Sequence, residues 1–294
     1  LAAARKLRWR WLAGSAVNLR VRVTGETAAG ERHWFVRFAS RDSAALGAQL
    51  TAEATAHRAA AAAGLAPSLV HVDEAMGLLV SDWWPGQPWR WRQARRGIEA
   101  FSTLVARLHA IPVPLGLPAL HPVTAVRQLL AELPPWQDAE HRQNLAHRAM
   151  LNALECASRP TEENITAPNV TGVPSPTAAV SAPVLVHSDP HAGNILQSVD
   201  GSLRLVDFEY AGAGARVHDL AVFATSHDLT GQQRQALLAS YAAAGGGTIG
   251  HHELQLACGV ADALWLAWIL RVHGAAWPQV PRARRVTARL AALS

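Results

Sequence analysis

Residues 187–194 read HSDPHAGN, which places two histidines, an aspartate and an asparagine in one short loop. Thirteen residues beyond Asn194 comes a second acidic group, Asp207-Phe208-Glu209. The first loop can work in two ways. His187, Asp189 and His191 alternate, so in an extended stretch they point to one side, as ligands of a transition metal would. Zinc, however, needs further His or Cys donors in register, and the downstream group offers only carboxylates. The alternative is chemistry run through Asp189, with His187 and His191 shaping the loop. The text between the two groups favours it. NILQSV and SLRLVDF alternate apolar and polar residues around Asp200-Gly201, a strong hairpin signal. With those two residues as the turn, Val199 faces Ser202, and counting outward sets Asn194 opposite Asp207. An amide oxygen and a carboxylate on one face make a hard, oxygen-rich pocket suited to magnesium, which keeps waters and phosphate oxygens as its other ligands. Asp189 stands at the mouth of that pocket. It has no cation beside it in sequence and is free to take a proton from a hydroxyl. A base beside two oxygen ligands suits phosphoryl transfer, which needs positioning and charge neutralisation more than covalent help.

The elements that must hold these residues are legible around them. NLRVRVTGE and RHWFVRFAS alternate as strands, with Gly14 and Ser15 in a turn before the first. SAALGAQLTAEATAHRAAAAAGL is rich in helix formers and stops at Gly64 and Pro67. SLVHVDEAMGLLVSD then reads as two further strands. This predicts a small sheet-plus-helix lobe over residues 1–82. WPGQPW in the stretch 83–91 has the composition of a connector. A larger, mostly helical lobe follows over 92–294, where Ile98, Phe101, Leu104, Val105 and Leu108 recur at helical spacing. Residues 158–183 are rich in Pro, Thr, Ser and Asn without periodicity, which reads as a flexible insertion.

HSDPHAGN followed by DFEYA resembles the kinase-like small-molecule phosphotransferases: choline and ethanolamine kinases, bacterial thiamine kinases and aminoglycoside phosphotransferases. The paired spacing of the two motifs is specific, and the likeness extends more weakly over nearly the whole chain apart from the 158–183 insertion. It implies an α+β, two-lobed protein-kinase-like fold with ATP between the lobes. By that resemblance Asp189 is the catalytic base, Asn194 and Asp207 hold magnesium, and Glu209 lies near a metal or the substrate. Gly14 and Ser15 resemble the turn that covers the ATP phosphates. Arg37 on the third strand takes the place of the phosphate-gripping cation, as in choline kinases, with Glu53 on the following helix as its ion-pair partner. Asp82, at the end of the first lobe, joins Gly14, Ser15, Arg37 and Glu53 among the residues expected to bind the cofactor. His218-Asp219-Leu-Ala resembles an element whose Asp braces the catalytic loop. Trp265 and Trp268, three apart on one helix face, resemble a pair that lines a cationic pocket in choline kinases. Plainer readings stand beside these: a surface ion pair for Arg37 and Glu53, a solvated turn for Glu209, a simple turn for Gly14 and Ser15, and core packing for the tryptophans.

Composition narrows the partners. Half of the 294 residues are hydrophobic and 17% are charged, enough for a substantial core. Formal net charge is +5 and Lys6 is the only lysine; a bias toward GC-rich codons accounts for such Arg and Ala abundance. The arginines are scattered rather than striped, which argues against nucleic acid. Cys156 and Cys258 are too few for a disulfide framework. No leader pattern is evident and no run approaches the roughly 20 apolar residues of a spanning helix, so a cytoplasmic protein without a membrane partner is expected. The expected acceptor is the hydroxyl of a small, cationic metabolite such as choline, ethanolamine or thiamine. An aminoglycoside is the alternative, disfavoured because the C-terminal helices carry few carboxylates. An alternative of another class is a non-catalytic nucleotide- or nucleic-acid-binding module.

Overall fold

The structure is a computed structural model that describes residues 4–12, 18–39, 49–133, 148–155, 157 and 182–292. Strands β1 (Arg5–Trp11), β2 (Leu19–Thr27), β3 (Gly30–Phe38), β4 (Leu69–Asp73) and β5 (Leu78–Asp82) form one antiparallel sheet in the order β1-β2-β3-β5-β4. Helix α1 (Leu50–Ala62) lies between β3 and β4 in the chain and ends just before Gly64, whose φ of +69° suits a residue without a Cβ. Thr27 pairs with Gly30 across the tight turn between β2 and β3, and this register sets Arg20 directly opposite Arg37. Cross-strand partners leave the same face of a sheet. Val21, Trp34, Val36 and Val80 pack together on the other face, so the alternation that fills this small core also delivers two arginines to one side.

The remainder is mostly helical. Strand β6 (Gln87–Pro88) leads into α2 (Trp91–Arg96) and α3 (Ile98–His109), followed by α4 (Pro122–Ala131) and a helical stretch α5 at 148–155. Short strands β7 (Val184–Val186), β8 (Ile195–Gln197), β9 (Leu203–Leu205) and β10 (Gly212–Gly214) precede α6 (Arg216–Ser226), α7 (Gly231–Ala243), α8 (His251–His273) and α9 (Ala283–Ala291). The periodic run after the connector is two helices rather than one. The Gly97 N–H closes α2 on the Gln93 carbonyl, and a Cβ at Gly97 would lie 2.6 Å from the Trp89 ring. All five apolar residues named from the periodicity are buried, and Phe101 stacks on Phe223 of α6 with ring centroids 3.7 Å apart. A second core joins α4, α5, α8 and α9 through Val126, Met150, Leu266 and Leu290. By length and composition α8 reaches the measure of a membrane span, with mean hydropathy 1.4, contrary to the sequence reading; 61% of that window is buried inside the fold, so its apolar surface is core. The insertion at 158–183 lies, up to residue 181, outside the described residues.

Two small sheets, β6-β8-β9 and β10-β7, carry the loops of interest. Their hairpin corrects the sequence count by one residue. Ile195 pairs with Leu205, Leu196 with Arg204 and Gln197 with Leu203, so Val206 rather than Asp207 comes opposite Asn194. The loop causes the shift. The Ser198 N–H donates to the Ser202 carbonyl at 3.0 Å, and Gly201 takes a φ of +85°. Three residues, Val199 to Gly201, therefore make the turn, a common alternative to the two-residue form. The Asp200 carboxylate fixes it by accepting from the Ser202 N–H and the Ser198 hydroxyl.

Candidate active site

The loop after β7 is built around a buried carboxylate. Asp219 of α6 is fully buried. One of its oxygens accepts the Ser188 N–H at 2.7 Å; the other accepts the His187 N–H at 2.8 Å and faces His109 Nε2 at 3.1 Å. Burial alone would raise the Asp219 pKa, but the hydrogen bond from His109 and the surrounding histidines hold it below the usual carboxylate value. The brace matters because Ser188 sits at φ +68°, a left-handed conformation that a serine does not adopt without support. His187 is also fully buried. Its Nε2 meets the Val206 carbonyl at 3.0 Å, its Nδ1 accepts the Asp189 N–H, and its ring packs on Phe208. It shapes the loop, as does His191, whose Nδ1 accepts the Gly193 N–H at 2.9 Å.

Asp189 emerges from this frame at the floor of a cleft, surrounded by protein on most sides but with 36% of its side-chain surface open. Asn194 Nδ2 donates to both the Asp189 carbonyl (3.0 Å) and its carboxylate (3.1 Å), which holds the side chain in one orientation. Desolvation raises the Asp189 pKa, opposed by His191 and His187 and reinforced by the charge on Asp207. A carboxylate so placed is a better proton acceptor than one in water.

Asp207 reaches the site through backbone strain rather than strand pairing: its φ of +69° turns the chain off the end of β9. Its two oxygens face Arg20 (2.6 Å) and Arg37 (3.3 Å). Glu209 accepts from Arg37 (3.2 Å) and from Asn18 Nδ2 (2.9 Å). Arg37, with 3% of its side chain exposed, also forms a buried ion pair with Glu53 of α1. Burial alone would lower the Arg37 pKa, but the three carboxylates together raise it. Burial pushes Glu53 up to about 7 against the pull of Arg37, with Asp207 and Glu209 adding to the rise. Arg20 and Arg37 thus pair with Asp207, Glu209 and Glu53, while Asp189 stands beside them without an arginine partner of its own among these contacts.

Arg20, Asp189, Asp207 and Glu209 share a cavity of about 770 Å³ whose wall also includes Tyr210, Trp265 and Trp268. Trp265 and Trp268 are partly buried and pack on the second core, so they serve as cavity wall and core at once. Asp82 stands apart from the cluster. Its carboxylate accepts from Arg32 at 2.6 Å on the exposed surface, and its N–H donates to the Ser68 carbonyl. Gly14 and Ser15 lie outside the described residues, between β1 and β2, whose pairing flanks them.

Comparison with known sequences matches residues 8–257 to the phosphotransferase enzyme family, APH. The chain belongs to that family. No curated protein matches it in sequence. Among solved structures this phosphotransferase is similar to choline kinase LicA from Streptococcus pneumoniae, at 14% identity and TM-score 0.72, with 98% of this chain and 94% of that one covered. It is similar to a choline/ethanolamine kinase family protein from Mesorhizobium loti at 20% identity and TM-score 0.66, covering 97% and 87%. A spectinomycin phosphotransferase in complex with ADP and spectinomycin aligns at 12% identity and TM-score 0.56, covering 97% and 87%. These likenesses are of fold, and with the family they make the chain a small-molecule phosphotransferase enzyme.

Three residues of the candidate site escaped the sequence reading. Arg20 was discoverable, because the turn at residues 27–30 fixes its pairing with Arg37. Asn18, just before β2, shares a face with Arg20 by continued alternation. Arg282, more than seventy residues beyond Asp207, lines the cavity from the start of α9 and left no local signal.

Proposed function

We propose that this phosphotransferase moves the γ-phosphoryl group of ATP to the hydroxyl of a small molecule, with Asp189 as the base. The observation that carries the proposal is Asp189 itself: a carboxylate with a raised pKa, oriented by Asn194, on a loop that Asp219 braces, and opening into the cavity shared with Asp207 and Glu209. Asp189 takes the hydroxyl proton as the acceptor oxygen bonds to phosphorus, and the bond to the ADP oxygen breaks with its electron pair. His191 Nε2 lies 3.5 Å from the Asp189 carboxylate. Arg37, held by Glu53, supplies a fixed cation toward the phosphates. Asn194, Asp207 and Glu209 offer oxygen donors of the kind magnesium takes, and they would hold it by giving up contacts that Asp207 and Glu209 make here with Arg20 and Arg37. Bound there, magnesium would supply positive charge against the phosphate oxygens.

In this proposal residues 1–82 form the nucleotide lobe, 83–91 the connector and 92–294 the acceptor lobe, with Gly14, Ser15 and Asp82 on the nucleotide side. Pairing of Gln87 with Gln197 supports the connector, because it ties that segment to the catalytic hairpin. Choline, ethanolamine or thiamine is the acceptor that the sequence favours, and the two indoles on the cavity wall support an aromatic contact. Arg282 opposes a cation at that wall, since its guanidinium carbon lies 4.4 Å from the Trp265 ring centroid. The test is ADP release from ATP with magnesium across choline, ethanolamine, thiamine, kanamycin and glycerate. Acceptor-dependent release that a chelator abolishes is expected; failure to bind ATP would return the non-catalytic reading.

A further inference from the structure

The cavity is lined by acidic and basic groups together: Asp189, Asp207 and Glu209, and with them Arg282, whose charge is felt at Asp189. Arg282 is poorly served by its protein partners. It lies 3.7 Å from Asp262, but both Asp262 oxygens already accept from Arg289, at 2.8 and 2.7 Å. A 3.3 Å contact runs from one terminal nitrogen to the Ser226 hydroxyl, and the buried Nε has no hydrogen-bond partner. With 19% of its side chain exposed and its Nε buried without an acceptor, this guanidinium is short of partners, and that cost falls when an anion completes its set. Burial lowers the Arg282 pKa, helped by the neighbouring charge of Arg289 and only partly offset by Asp262, Asp228 and Asp189. The same guanidinium covers the Trp265 ring, so the aromatic face a cationic acceptor would use already holds a cation.

We propose, resting on the phosphotransferase reading of Asp189, that Arg282 is the anion-binding end of the acceptor site. The acceptor is then a compact hydroxyl compound bearing a carboxylate or similar small anionic group, its hydroxyl toward Asp189 and its anion toward Arg282. Trp265 acts as the platform that holds the guanidinium flat against the wall.

The test uses the full chain loaded with a non-hydrolysable ATP analogue and magnesium, titrated by calorimetry with glycerate, glycerol and choline. The three probes are anionic, neutral and cationic hydroxyl compounds. Glycerate should bind at least tenfold more tightly than the other two. Arg282→Met, which keeps the stem on Trp265, should lose about 10- to 100-fold in glycerate affinity, the range of one charge-assisted hydrogen-bonded contact. Arg282→Lys should recover part of the loss, with nucleotide affinity unchanged in both variants. Choline binding as tightly as glycerate, binding of none of the three, or an Arg282→Met variant that keeps the glycerate preference would each overturn the proposal. Should the nucleotide analogue itself fail to bind, the phosphotransferase reading falls on that result, while glycerate titrated alone still decides the role of Arg282.

Discussion

Substituting Asp219 by Asn tests the brace beneath the catalytic loop with almost no change of volume. In the native protein one Asp219 oxygen accepts from Ser188 and the other accepts from His187 and faces His109. His109 Nδ1 lies 2.7 Å from the Tyr241 hydroxyl, so Nε2 is the nitrogen left to donate to Asp219. An Asn side chain can place its oxygen toward only one of these sets. With the oxygen toward His187 and His109, its amide meets the Ser188 N–H donor to donor. One buried N–H is then orphaned, at about 1–3 kcal/mol, and two charge-assisted bonds become neutral ones, at about 1 kcal/mol each. The sum is roughly 3–5 kcal/mol, a large share of a typical domain's stability. Ser188 at φ +68° also loses the contact that holds it there, so the loop relaxes and Asp189 moves with it. Urea unfolding should show the stability loss, and ADP release should fall while ATP affinity holds. A loss below about 1 kcal/mol would refute the reasoning, because the two loop N–H groups would then be satisfied without the carboxylate.

Two further outcomes follow from the buried charges. His57, against the Pro67 carbonyl, and His227, against the Phe223 carbonyl, are both pulled down to about 4 by burial. Their folded values lie below the ordinary value near 6.5, so the unfolded chain takes up the protons first as pH falls. The two histidines should cost stability between about pH 6.5 and 4, by up to roughly 3 kcal/mol each, opposed in the same window by Glu53, whose raised value favours the folded state as pH falls; the native protein should therefore lose more stability from pH 7.5 to 4.5 than a variant carrying His57→Gln and His227→Gln, and equal losses in urea midpoint would contradict this. Arg37→Met removes the cation shared by Glu53, Asp207 and Glu209 and should cost about 3–5 kcal/mol with weakened ATP binding. Thermal unfolding at the native temperature in that variant would show instead that the carboxylates find other partners.

The sequence carried the local elements well because their signals are local. Alternation marked the strands around Arg37, the alanine-rich run stopping at Gly64 marked α1, and helical spacing marked the apolar face of α3. The placement of Asp219 under the loop that carries Asp189 also held, since two of its partners are backbone N–H groups of that loop. The hairpin failed by one residue because turn length is set by how Gly201 and Asp200 satisfy Ser198 and Ser202, a choice that Asp-Gly alone does not make. Asp207 came to the site in spite of that error, through a left-handed backbone invisible to periodicity. Arg282 was illegible for another reason: α9 meets the cavity only through packing of the second core, and neither its spacing nor its neighbours in the chain announce it. Asp82 marked the end of β5 correctly, but its side chain turns to Arg32 at the surface.

The central claim is that Asp189 takes the acceptor proton. Its most direct test is Asp189→Asn, with ADP release at saturating ATP and magnesium measured beside equilibrium ATP binding. The account predicts a fall in kcat of about 10²- to 10⁴-fold, the usual contribution of a positioned base, with ATP affinity changed by no more than a few-fold. A kcat within tenfold of the native enzyme would contradict it and remove Asp189 from the reaction.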